Sequence, residues 1–129
     1  MIELIIATLI FIQSPQDLKK DCDYSEHATL ELWGCMRWSD NTIHILGGRP
    51  EKDMYRTLYH EQGHNLFHTY PMPTIFKGEE QRAIEFSWWM YEKKFAQPNT
   101  YILKGDDIDR YFKAICNEEC IKALLDLKL

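Results

Sequence analysis

The stretch from Pro50 to Tyr70 constrains this chain more than any other. Gly47 and Gly48 end an extended run just before it, and Pro71 and Pro73, which a helix interior does not tolerate, follow it. Between these breaks the sequence predicts one long helix starting at Pro50. Glu51 and Asp53 fall in its first turn, where unpaired backbone N–H groups and the helix dipole favour acids. Inside it, His60 and His64 stand four residues apart, so both rings rise from one face and can aim a nitrogen at a single ion. Glu61, beside the first histidine, projects toward the same side and can take a proton from a metal-activated water without ligating the metal. Three fixed letters arise by accident in roughly half a percent of chains this long. Position decides in favour of a site: the motif lies mid-helix, after a strand, with Tyr55, Leu58, Leu66 and Phe67 to wall it from water. The spacing therefore predicts bound Zn2+.

A catalytic zinc held by two histidines and a water needs one more protein ligand. His68 continues the row, but a straight helix carries it about 6 Å beyond His64. It is a candidate for stabilising a transition state, with a plain surface or core histidine as the alternative. A second long helix is predicted from Gly78 or Glu79 to Phe95, bounded by Pro98 and Asn99 and folded back antiparallel on the first. It offers Glu79, Glu80 and Glu85. Glu80 is the choice for third ligand, because Ala83 and Ser87 farther along are small enough for a close approach of the two helices. Glu79 is the runner-up, and Glu85 is expected at solvent. Cys35 is a chemical alternative, since a thiolate binds zinc well. Candidate donors to a developing oxyanion are His68, Tyr70, Tyr91 and Arg82.

The rest of the chain reads as strands first and helices after. Residues 1–12, rich in Ile and carrying Thr8 and Phe11, read as a buried strand, and Ser14 and Pro15 open a short helix as N-cap and first helical residue. Residues 29–37 and 42–46 read as two strands of a hairpin joined by Ser39-Asp40-Asn41, with the strand at Ile43, His44 and Ile45 the expected edge for an extended peptide. A last helix begins near Asp106 or Asp107 and runs, with or without a break, to the C-terminus. That order predicts an α+β domain: residues 1–129 as a single unit, with a small sheet of about three strands on the His60–His64 helix and two further helices.

Net charge is −5 and no run of Lys or Arg exceeds two, which excludes a nucleic-acid footprint or a polybasic membrane patch. Glu3 stands where a signal peptide needs basic residues, and no small-x-small cleavage site precedes Gln13. The expectation is a soluble, cytoplasmic protein with no membrane partner, its four cysteines reduced.

The segments HEQGHNLFH and EQRAIEFS resemble the ImmA/IrrE-type metallopeptidases, in which HExGHxxxH precedes an ExxANxFA helix whose first Glu completes the zinc site. His60, Glu61, Gly63, His64 and His68 match the first motif, and Glu80, Ala83 and Phe86 the second. Ile84 stands in place of the usual Asn and Ser87 in place of Ala, and the spacing from His64 to Glu80 is short. The chain is also similar to small HExxH proteins of phages and mobile elements. The resemblance spans roughly residues 55–90 and implies a minimal zincin-like fold of gluzincin type. It further implies a peptide or protein substrate, such as a repressor. A fainter similarity of Gly34-Cys35 to peptide deformylases, which lacks their Gly-rich motif upstream, implies an amide hydrolase instead. The remaining alternative is a zinc-stabilised binding module without catalysis.

Overall fold

The computed structural model describes residues 6–22, 33–97 and 106–129. Residues 1–5 of the first expected strand, 29–32 of the second, and Pro98 and Asn99 lie outside them. Strand β1 (Leu9–Gln13) leads into helix α1 (Pro15–Cys22). The Asp17 N–H donates to Ser14 Oγ at 3.3 Å, so Ser14 is the N-cap its chemistry predicts. Strands β2 (Gly34–Arg37) and β3 (Thr42–Leu46) form the expected antiparallel hairpin. Asn41 closes its turn in the left-handed region (φ 56°), which Asn tolerates better than most residues. Helices α2 (Glu51–Phe67), α3 (Glu79–Phe95), α4 (Asp106–Ile115) and α5 (Glu118–Asp126) complete an α+β unit. Among the described residues, no helix is long and apolar enough to cross a membrane.

The sheet order is β1-β3-β2, with β1 parallel and β2 antiparallel to β3. This overturns two expectations. β3 is the central strand rather than an edge, because β1 and β2 pair along its two sides, and with α1 and α2 packed on it Thr42, Ile43, His44 and Ile45 are all buried. His44 survives there because Thr42 Oγ1 and Gln13 Oε1 each lie 3.0 Å from a ring nitrogen and Phe11 stacks on its ring. Burial first, and then the charge of Arg37, hold its pKa below that of an ordinary histidine. Conversely β1, expected to be buried, is an edge strand whose Leu9, Phe11 and Ile12 are exposed.

The helical half follows the expected order. The last helix is broken, because the Asn117 side chain accepts from Cys120 N–H and so starts α5 afresh after α4. Its apolar face covers the core through Ile108, Phe112, Cys116, Cys120 and Leu124. Among the described residues there are five helices: the short α1 opened by Ser14 and Pro15, the two long ones α2 and α3, and the last helix split into α4 and α5. The cysteines pair, Cys22 with Cys35 and Cys116 with Cys120, contrary to the reduced state expected. The end of α1 meets β2 and the α4–α5 break tightens the chain, leaving Cα separations of 5.9 and 5.0 Å, both within bridging range.

Candidate metal centre

Helix α2 carries His60 and His64 on one face, and α3 brings Glu80 to them. His60 Nε2 lies 2.7 Å from Glu80 Oε1, His64 Nε2 lies 3.1 Å from Glu80 Oε2, and the two Nε2 atoms are 3.1 Å apart. Donors about 2.0–2.1 Å from one tetrahedral zinc stand about 3.3 Å from each other. The group thus fits zinc after a small outward movement. Two imidazoles and one carboxylate also match the donor set of a catalytic zinc, with a fourth position left over. Of the described His, Cys, Asp and Glu side chains, these three alone cluster in this way.

Close packing of α2 on α3 makes the convergence possible. A Cβ built on Gly63 would meet Phe86 Cδ2 at 3.1 Å and Ala83 Cα at 3.4 Å, so the helices touch where both residues are small. Arg82, almost fully buried, then locks the connection between them. Its guanidinium donates to Phe67 O at 2.8 Å, to Tyr70 O and Pro71 O at 3.3 Å, and to Tyr111 Oη at 2.9 Å. The guanidinium thus ties the last residue of α2 to the turn that follows it. Trapped there, Arg82 is a structural clamp and not the oxyanion donor entertained from sequence.

Glu79 is not a ligand in this arrangement. Its Oε1 lies 3.3 Å from His64 Nδ1, on the far side of the ring, where a carboxylate holds the tautomer that leaves Nε2 bare. Burial acts most strongly on His64 and lowers its proton affinity. Glu80 as hydrogen-bond partner, then the charge of Glu61, then Glu80 and Glu79 again, outweigh that and push the pKa up to about 9. Hydrogen bonds from His60 and His64 hold the Glu80 carboxyl far below the usual carboxylate range.

Glu61 is buried beside the group without belonging to it. Above it passes β2: a Cβ on Gly34 would meet His44 O at 2.7 Å, Thr57 Cγ2 at 2.8 Å and Glu61 Cγ at 3.7 Å. Only glycine lets the strand lie this close. Its signal was a lone Gly inside a strand pattern.

Compared with family models, curated proteins and solved structures, this chain matches none.

The remaining sequence candidates fall elsewhere. Cys35 is excluded as a ligand, because strand alternation turns it to the α1 side, where it is bonded to Cys22 against Leu18. Glu85, expected at solvent, is buried because α3 is covered by α2 and also by α5. Tyr91 points to the other end of α3, its hydroxyl 3.2 Å from Gln97 Oε1. Tyr70 contributes its backbone to the Arg82 clamp. His68 is the C-cap of α2, outside the His60, His64 and Glu80 group. Its Nδ1–H donates to Asn65 O at 2.9 Å and its ring lies 5.1 Å from that of Trp38. Neither Trp38 nor the role of Glu79 was picked out from sequence; an exposed tryptophan at a turn was the available signal for the first.

Proposed function

We propose that this chain is a zinc-dependent metallopeptidase of gluzincin type. The observation that carries this reading is the convergence of His60, His64 and Glu80 with Glu61 buried beside them and outside the ligand set. When bound, zinc would polarise a peptide carbonyl and make a water acidic enough to ionise near neutral pH. Glu61 is the general base: it accepts the proton of the attacking water at its carboxylate and returns it to the leaving amine nitrogen. His60 and His64 orient the donor set, and Glu79 fixes the His64 ring. The Nδ1–H of His68 is committed to Asn65, so this ring donates to an oxyanion through Nε2 only when protonated.

The resemblance to the ImmA/IrrE-type peptidases rests on motif letters, and Gly63 of the first motif packs against Ala83 and Phe86 of the second. It suggests a regulatory protein such as a repressor as substrate. The peptide would add to the outer edge of β2, which runs past Glu61, in place of the central β3. A closed structural zinc site is the weaker reading, because Cys35 is tied to Cys22 and His68 lies outside the donor group.

The test is cleavage of a broad peptide library by zinc-loaded protein, read by mass spectrometry. Wild type is expected to cut a defined subset, and Glu61→Gln to keep its zinc and lose about 100-fold or more of the rate. Identical cleavage by the two proteins would contradict the proposal.

A further inference from the structure

His60, His64 and His68 form a row along α2, and two walls flank it. One is the first turn of α3, whose Glu79 and Glu80 reach His64 and His60. The other is β2, with Gly34 against Thr57 and Glu61 and, just past its far end, Trp38 against His68. The strand therefore follows α2 along the length of the row, and among the described residues its outer edge pairs with no other strand. Alternation puts Trp38 on the α2 side of the sheet with Gly34 and Met36. Its indole is 50% exposed, and its ring is tilted by 35° to that of His68. The bond from Nδ1–H to Asn65 O fixes the His68 ring beneath it.

His68 follows His64 by one helical turn, about 6 Å of rise, so the two tilted rings make a largely apolar platform beside the His60, His64 and Glu80 group. That distance suits the side chain of a residue adjacent to a bond attacked at the metal. An aromatic platform gains most from another large apolar or aromatic group laid over it. We infer that Trp38 and His68 form a side-chain subsite that selects extended peptides carrying a large apolar or aromatic residue beside the scissile bond. This rests on the zinc peptidase reading above and adds its specificity. Trp38 contributes by contact with substrate, not by chemistry.

Two zinc-chelating probes test it on the zinc-loaded full chain by calorimetry: acetohydroxamate, which has only a methyl group, and 3-phenylpropanohydroxamate, which carries an aromatic ring. Wild type is expected to favour the phenyl probe by about tenfold or more. Trp38→Ala, checked for full zinc content, brings the ratio of affinities close to one, and Trp38→Phe keeps most of it. If Trp38→Ala fails to fold, Trp38→Leu takes its place, with a ratio below that of Trp38→Phe. Equal affinities in wild type, or a ratio that survives the loss of the indole, would overturn the subsite alone. Failure of both probes to bind zinc-loaded wild type would overturn the open metal site, and the subsite with it.

Discussion

In the proposed zinc site, His64 carries a proton that the metal would have to displace. Its pKa is pushed up to about 9 in the metal-free protein, so binding the ion releases that proton at any lower pH. Apparent zinc affinity should therefore rise by about tenfold per pH unit from pH 6.5 toward 9 and level off above it, in competition with a chromophoric chelator. An affinity independent of pH over that range would contradict the arrangement. The same shift sets the sign of a stability effect without metal. A raised histidine pKa contributes stability that is complete below 6.5 and lost as pH rises through 9. The depressed Glu80 pKa contributes above 4.5 and is lost as pH falls. Glu80→Gln should therefore cost the metal-free protein most between those limits and least above pH 9, by chemical denaturation. The effect stays small, because the Glu80 side chain is 69% exposed and solvent screens the pair. The convergence of His60, His64 and Glu80 was legible in the sequence, the two histidines from helical spacing and Glu80 from the small residues beyond it. The Glu79 contact with His64 was not, because two adjacent acids differ only in the direction their helix gives them.

The helices and strands depend on a few close approaches. Gly34→Ala would drive a methyl group into His44 O and Thr57 Cγ2, which the backbone cannot yield cheaply. A loss of about 1–3 kcal/mol in urea unfolding is expected. Gly63→Ala meets Phe86 and Ala83 less tightly, and its mark should be weaker zinc binding, as α3 and Glu80 are pushed away from α2. Arg82→Ala removes several charged hydrogen bonds at the buried end of α2 and should cost about 3 kcal/mol or more. Element types were legible because the segments that form Glu51–Phe67 and Glu79–Phe95 lie between clear start and stop signals. The strand order was not. Thr42–Leu46 alternates as an edge strand would, and only the pairing with β1 across α1, a contact distant in sequence, places it in the middle. The break at Asn117 was also hidden, because the apolar spacing of Phe112, Cys116, Cys120 and Leu124 continues through it.

In the molecule as a whole, the sheet lies between α1 and the α2–α3 pair, and the disulfide from Cys22 to Cys35 pins α1 to the face away from the metal donors. The chain between these cysteines spans 13 residues, and closing a loop of that length stabilises by about 3 kcal/mol. The Cys22→Ser/Cys35→Ser protein should lose stability of that order in thermal unfolding and yet bind zinc like wild type, since Cys35 is no ligand. Reduced affinity with unchanged stability would reverse that assignment. Cysteine pairing was not readable from four positions that allow three pairings, because it depends on which faces the tertiary fold brings together.

The most direct test of the metal centre is zinc stoichiometry by elemental analysis of purified, zinc-reconstituted wild type beside His60→Ala, Glu80→Ala and Glu61→Gln. The arrangement predicts one zinc per chain in wild type and Glu61→Gln, and none or a weakly held fraction in the other two. Wild type without zinc, or zinc indifferent to the loss of Glu80, would contradict it.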